Sequence, residues 1–183
     1  MTAKTAKTTE KKELSAPKTS AKEWWHEGVR FQCQGSGQCC TSHGEYGFVF
    51  LDKNDRKLMA KHLGLKPQVF TKKYCTKYNG AYHLIEDPSN PDCMFLKNKR
   101  CQVYEARPTQ CRTWPFWPEV MKAKTWNKEV LSFCPGVGKG SLVPKSKIES
   151  QLAEQAATEK AIVHEALYSK STGGKANGGK KSK

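Results

Sequence analysis

The chain has 183 residues, of which 37% are hydrophobic, and it carries a formal net charge of +15 at pH 7. This length fits one domain with tails, and the low apolar content excludes a hydrophobic core that extends over the whole chain. No apolar run approaches membrane-spanning length and the N-terminus has no hydrophobic signal segment, so we expect a cytoplasmic protein with no membrane partner.

Much of the positive charge lies at the two ends of the chain. Residues 1–22 hold six Lys and two Glu, and residues 169–183 hold five Lys and no acidic residue. All five Trp and all seven Phe lie between these ends. We therefore predict disordered basic tails at residues 1–22 and 169–183, which could make weak electrostatic contact with nucleic acid or acidic proteins.

The predicted elements of the folded region begin with a loop. The segment between Cys33 and Cys40 contains two glycines and a serine, which favours a tight turn over a helix or a strand. The aromatic and β-branched run over residues 46–51 predicts a short strand. Asp52 then fits an N-cap, and the helix that follows is predicted to stop at Gly64.

The middle of the chain alternates helical and strand patterns. A second helix is predicted to start at Pro67 and to lead towards Cys75. Residues 93–96 and 101–104 flank a polar tetrapeptide, a pattern that predicts a β-hairpin. Three prolines cut residues 107–118 into a short helical turn and an irregular aromatic segment.

The C-terminal third is predicted to be helical. Residues 127–133 indicate a further helical turn, and residues 145–168 indicate a long Ala- and Glu-rich helix. Its thin apolar stripe consists of Ile148, Leu152, Ala156, Val163 and Leu167. Together these patterns predict a small, irregular α+β fold: a metal-stabilised cysteine-cluster domain over residues 23–144, with a β-hairpin and short helices, followed by the long C-terminal helix.

The chain contains eight cysteines, an unusually high number for its length. Thiols stay reduced in the cytosol, so such a cluster indicates metal binding or thiol chemistry rather than disulfides. Soft thiolates favour zinc, copper(I) or iron–sulfur centres over hard cations. The spacing matches neither paired zinc knuckles nor ferredoxins, so it does not name the metal. The predicted metal ligands are Cys33, Cys39, Cys40, Cys75, Cys93, Cys101, Cys111 and Cys134.

Residues beside the cysteines allow more than one reading. Cys39 and Cys40 are adjacent, and in an extended stretch their side chains would diverge, so we expect them to serve two centres or one of them only to pack. His43 is a possible further ligand, although a solvated loop histidine is the commoner case. Arg107 and Arg112 could each stabilise a thiolate or bond loop carbonyls.

The aromatic segment after Cys111 also has two readings. Trp114, Phe116 and Trp117 could stack on nucleic-acid bases, or they could cover a metal and exclude water from it. Their position between prolines and beside a cysteine cluster favours the second reading.

Several motifs together resemble the YkgJ-type CxxCxxCC family, whose bacterial members are described as zinc- or iron-chelating. The resemblance covers about residues 31–140 and departs from the family name at Ser36, where a further cysteine could stand. It implies a chelating site without supplying a reaction. The motifs are Cys33-x5-Cys39-Cys40, Cys93-Met-Phe-Leu, Cys101-Gln-Val-Tyr-Glu-Ala-Arg-Pro-x2-Cys111-Arg-Thr-Trp-Pro-Phe and Cys134-Pro-Gly.

The predicted function is metal chelation through thiolates, with a zinc or iron ion in a structural or metal-handling role. Two alternatives stay open at this stage: an iron–sulfur redox protein, and a zinc-organised nucleic-acid-binding module. The sequence has no phosphate-binding Gly-rich loop, no nucleophile elbow and no helical HExxH. We therefore expect catalysis only if the metal itself is open or redox-active.

Overall fold

The computed structural model describes residues 23–41, 48–90 and 92–172. The predicted N-terminal tail, residues 173–183 of the predicted C-terminal tail, His43 and the first part of the predicted strand over residues 46–51 lie outside the described residues. The predicted C-terminal tail is wrong at residues 169–172, which continue a helix. The described chain combines helices with three small antiparallel sheets, which confirms the predicted α+β class. None of the described helices is both long and apolar enough to cross a membrane.

Two consecutive helices form near the start of the domain, as predicted. Helix α1, Lys53–His62, begins with a reciprocal capping box between Asp52 and Asp55. Such a box satisfies backbone N–H groups that have no partner inside the helix. Gly64 follows the end of α1 with a φ of +66°, which glycine adopts without strain. Helix α2, Pro67–Tyr74, has proline in its first turn.

Six short strands form three antiparallel pairs. They are β1 (Val29–Phe31) with β6 (Val137–Val143), β2 (Cys75–Tyr78) with β3 (Ala81–Leu84), and β4 (Leu96–Lys97) with β5 (Arg100–Cys101). The last pair confirms the predicted hairpin, although its strands are shorter. Asn98 and Lys99 both have positive φ angles, as a two-residue type I′ turn requires. Within the predicted strand over residues 46–51, Phe50 makes only an isolated bridge, to His83.

Further α- and π-helical segments follow the hairpin of β4 and β5. They are α3 (Thr109–Thr113), α4 (Ala123–Thr125), a π-helical segment (Trp126–Val130), α5 (Leu131–Phe133) and α6 (Lys145–Thr172). Helix α6 continues beyond its predicted end at residue 168. The prediction that its apolar stripe is buried along the whole helix is wrong at the C-terminal end. Val163 and Leu167 are 57% and 62% exposed, whereas Ile148 is fully buried. The buried face of α6 includes the polar side chain of Gln155 instead.

The buried apolar residues form two separate clusters. The first, which we name the α1 core, consists of Val49, Leu51, Met59, Ala60, Phe70, Cys75, Leu84, Phe95 and Val103. The second, which we name the tryptophan core, consists of Trp25, Val29, Phe116, Val120, Met121, Trp126, Val130 and Ile148. Three cysteines pack on the α1 core, namely Cys93, Cys101 and Cys111, and Cys134 packs on the tryptophan core.

Candidate metal centre

A cavity of about 700 Å³ is lined by residues that belong to, or pack on, both cores. Six of the eight cysteines line it, namely Cys33, Cys39, Cys40, Cys93, Cys101 and Cys111. A smaller cavity of about 270 Å³ shares three of these cysteines and adds Cys134. The structure therefore brings together seven of the eight predicted ligands around two cavities that share part of their walls.

The turn that carries Cys39 and Cys40 is held close to the hairpin. Residues 38–40 form a 3₁₀ turn preceded by Gly37 with a φ of +75°. A Cβ on Gly37 would lie 2.9 Å from the carbonyl oxygen of Lys99, so only glycine fits this approach. The backbone N–H of Cys93 donates to the carbonyl oxygen of Cys40 over 2.7 Å. These contacts place the vicinal cysteines beside Cys93.

The two vicinal sulfurs do not diverge. The Sγ atoms of Cys39 and Cys40 lie 4.0 Å apart. The expectation that these side chains point apart is wrong, because the residues occupy a 3₁₀ turn rather than an extended stretch. In a tetrahedral zinc–thiolate site with zinc–sulfur bonds of ~2.3 Å, sulfurs are separated by about 3.8 Å. The pair is therefore spaced much like two ligands of one ion.

Helix α3 positions Cys111 through contacts at both of its ends. At the start, the carboxylate of Asp55 accepts hydrogen bonds from the backbone N–H and the hydroxyl of Thr109, over 2.9 and 3.0 Å. At the end, the Thr113 hydroxyl lies 3.0 Å from the Gln155 side-chain oxygen on α6. The sequence contained no signal for the Asp55 contact, because it joins residues 54 positions apart.

The thiols that line the cavity perturb one another. The hydrogen bond from Cys40 lowers the pKa of Cys39 to about 7, although burial opposes this shift. The same hydrogen bond raises the pKa of Cys40, and burial and the neighbouring thiols raise it further. Burial is the main cause of the raised pKa of Cys111, and charges on Cys93 and Cys39 add to it. Cys40 and Cys111 thus resist ionisation in the absence of a compensating positive charge.

Cys93 and Cys101 are affected in the same direction. Burial raises the pKa of each thiol, and the neighbouring cysteines contribute further repulsion. The positive charge of Arg107 acts the other way, because it lowers the pKa of Cys101, Cys111 and Cys39. Arg107 also donates its Nε–H to the carbonyl oxygen of Tyr104, so it makes the loop-carbonyl contact that was the second reading of this residue, and the thiolate-stabilising role stays a prediction. Arg112 instead forms an ion pair with Glu154 at 2.6 Å.

Cys75, a predicted ligand, and His83 are both buried and line neither cavity. Cys75 is 8% exposed, belongs to the α1 core and lines neither cavity. Burial raises its pKa to about 11. His83 stacks on Phe48 at 3.9 Å, and its Nδ1 lies 2.8 Å from the carbonyl oxygen of Leu84. Neither side chain therefore lies among the cysteines that line the two cavities.

The sulfurs converge without forming a closed ligand shell. Across residues 23–41, 48–90 and 92–172, no group of three or more His, Cys, Asp or Glu side chains is arranged to hold a metal ion as it stands. The chemistry of the donors nevertheless fits a soft cation, because five mutually interacting thiols surround one cavity. A cation there would favour the thiolate forms of Cys40, Cys93, Cys101 and Cys111, whose pKa values are all raised.

The fold and the cavity define a small α+β domain built around clustered thiols. The chain matches the model of the CxxCxxCC family, whose description is "Putative zinc- or iron-chelating domain", over residues 32–135. It belongs to this family, which confirms the resemblance seen in the sequence motifs; the finer YkgJ-type assignment stays a prediction.

Among curated relatives, the chain is similar to the Uncharacterized protein MJ0661 of Methanocaldococcus jannaschii. The two are 26% identical over 134 residues, which cover 70% of this chain and 68% of the relative. No solved structure matches the chain at a significant level. The comparisons thus place the chain in a family whose description is zinc or iron chelation.

Proposed function

We propose that the protein binds zinc or iron through thiolates at the large cavity, and that the metal organises the domain or is handled there. The observation that carries this proposal is the convergence of five mutually interacting cysteine side chains on one cavity. The sulfurs of one pair, Cys39 and Cys40, are already 4.0 Å apart. Thiolate is a strong ligand for both metals in proteins.

The proposed inner ligands are the cysteines whose charges act on one another. They are Cys39, Cys40, Cys93, Cys101 and Cys111. A tetrahedral ion needs four ligands, so one of these thiols would remain available. Cys33 lines both cavities, Cys134 lines only the smaller one, and both are proposed as outer residues. Cys75 is left out because it lies in the α1 core.

The surrounding residues support a buried thiolate site. Arg107 supplies positive charge near three of the thiols. Trp114 and Trp117 line the same cavity and would limit the access of water. Phe116, the third aromatic residue of this segment, is 1% exposed in the tryptophan core. These rings are not displayed for stacking on bases, so we do not propose the nucleic-acid alternative.

A metal held here would also contribute to folding. Cys93, Cys101 and Cys111 pack on the α1 core, whereas the tryptophan core supplies other parts of the cavity wall. Structural zinc contributes on the order of 10 kcal/mol of apparent folding free energy. Such a contribution would offset the entropy lost in ordering the loops between the cysteines.

The iron–sulfur alternative is favoured by two features. More thiols line the cavity than one tetrahedral ion uses, and its volume of about 700 Å³ exceeds the space of a single ion. Protein prepared without oxygen would then be brown and would contain acid-labile sulfide. Colourless protein that contains stoichiometric zinc and no sulfide would instead indicate a site for single zinc ions.

Metal content of matched cysteine variants tests the proposal. Anaerobically purified wild-type protein should contain zinc or iron in stoichiometric amount by elemental analysis. Cys111→Ala should lose most of this metal, whereas Cys75→Ala should retain it, although both substitutions remove one sulfur from the interior. Wild-type protein without bound metal, or equal metal loss in both variants, would refute the proposed site.

A further inference from the structure

The large cavity offers much more room than a metal ion needs. Its volume of about 700 Å³ falls within the ~300–1,000 Å³ of typical small-molecule sites. Apart from the cysteines, much of its wall is apolar or aromatic, including Met59, Leu84, Phe95, Val103, Trp114 and Trp117. An apolar wall with a few polar groups is the usual composition of a site for an organic ligand.

The guanidinium of Arg107 lines this cavity and has terminal N–H groups without a hydrogen-bond partner among the described residues. Its Nε–H donates to the carbonyl oxygen of Tyr104 over 2.8 Å, and its guanidinium stacks 3.6 Å above the Tyr104 ring. Within the described part of the chain, no carboxylate forms an ion pair with it. The stacking fixes the guanidinium plane while its terminal N–H groups remain open to an oxygen acceptor.

Trp114 supplies a second donor. Its Nε1–H is buried and, among the described side chains, it is the one buried nitrogen or oxygen group without a hydrogen-bond partner. Buried polar groups are nearly always paired, so an unpaired one calls for an explanation. Gln110, which also lines the cavity, does not accept this N–H: its side-chain oxygen accepts from the backbone N–H of Phe50, and its amide donates to the carbonyl oxygen of Phe48.

The charges around the cavity are unevenly arranged. Lys99 and Arg100 of the hairpin line it together with Arg107. The carboxylates of Glu119 and Glu129 also line it, but they belong to the segments that follow Trp117 and form the π-helix. Among the charged side chains other than cysteine, an anionic group is therefore favoured beside the cations of the hairpin and Arg107 and disfavoured beside Glu119 and Glu129.

We propose that the cavity binds a second ligand beside the cysteines: a small carboxylic acid with an aromatic or otherwise apolar body. Its carboxylate pairs with Arg107, and its apolar body lies against Trp114 and Trp117. The Trp114 Nε1–H provides a further donor for an oxygen of the ligand after a small shift of the ring. This inference goes beyond metal chelation, because it assigns the remaining volume and the unpaired donors.

A matched pair of probes tests the carboxylate. Binding of 1-naphthaleneacetate and of its neutral amide is measured by isothermal titration calorimetry on the full chain, after its metal content has been determined. The acid should bind saturably and at least about tenfold more tightly than the amide, as expected for a charge-assisted hydrogen bond. Absence of saturable binding, or equal affinity for both probes, overturns the proposal whether or not the protein contains metal.

Variants locate the binding groups. Arg107→Gln should abolish the preference for the acid and leave the affinity for the amide within about twofold, whereas Lys97→Gln, which removes an exposed cation that does not line the cavity, should change neither. Trp114→Phe retains a ring but lacks the donor, and should weaken binding of the acid several-fold. A preference for the acid that survives Arg107→Gln overturns the assignment of the carboxylate.

Discussion

Asp55 links the start of α1 to the helix that carries Cys111, and its removal should destabilise the domain strongly. The side chain is 3% exposed and accepts two hydrogen bonds from Thr109, over 2.9 and 3.0 Å. Hydrogen bonds to a charged group contribute about 1.5–3 kcal/mol each, and the cost of burying the carboxylate offsets part of this. Asp55→Ala should therefore lower the free energy of unfolding by about 3 kcal/mol.

The measurement is urea unfolding followed by circular dichroism, with a thermal melt as a second readout. A loss of this size should lower Tm by about 6–12 °C in a domain of this length. Asp87→Ala is the matched control, because Asp87 also accepts hydrogen bonds, from Ser89, but lies in an exposed turn. The reasoning is refuted if Asp55→Ala destabilises the protein no more than this control does.

The same residue gives the protein a defined pH dependence. Burial raises the pKa of Asp55, and the charge of Asp52 adds to this, although hydrogen bonds from Thr109 oppose it. A raised folded-state pKa contributes stability that is fully present below the unfolded pKa, about 4, and is lost as pH rises through the folded value. The stability of wild type relative to Asp55→Asn should therefore decrease from about pH 4 upwards and then level off. A constant difference would contradict this assignment.

The remaining predictions concern the contacts that hold the cysteine segments. Gly37→Ala should lower both stability and metal content, because the new Cβ would lie 2.9 Å from the carbonyl oxygen of Lys99; unchanged metal content by elemental analysis would contradict this. Thr113→Val should cost about 1–2 kcal/mol in urea unfolding, because it leaves the buried Gln155 oxygen unpaired. Glu154→Gln should cost less than about 1 kcal/mol, because its ion pair is exposed; a larger loss than that of Thr113→Val would reverse this ranking.

Local signals predicted the helices well. Asp52 and Gly64 mark the ends of the first helical segment, and both act through short-range backbone effects that the sequence displays. The hairpin at Asn98 was also visible as a polar break between apolar runs. The hairpin of β2 and β3 was not predicted, although its turn, Asn79-Gly80, is the strongest short-range signal for a type I′ connection.

Pairing between distant segments could not be predicted in the same way. Strand β1, Val29–Phe31, pairs with β6, Val137–Val143, across more than a hundred residues. Strand β6 contains Gly138 and Gly140, which locally favour a loop. The cysteines presented the same difficulty: Cys75 was the weakest of the predicted ligands, but the sequence could not show where its side chain packs. Only the packing of Cys75 inside the α1 core separates it from the thiols at the cavity.

The position of the cavity explains why the cysteines are spread over so much of the chain. Cys93, Cys101 and Cys111 pack on the α1 core, whereas Cys134 packs on the tryptophan core. A ligand set taken from a single short motif would stabilise only one of these regions. In the proposed site, the inner ligands Cys93, Cys101 and Cys111 join the metal to the α1 core, and the outer residue Cys134 lies on the tryptophan core. A metal bound between them would add stability that the small buried apolar area of each core does not supply.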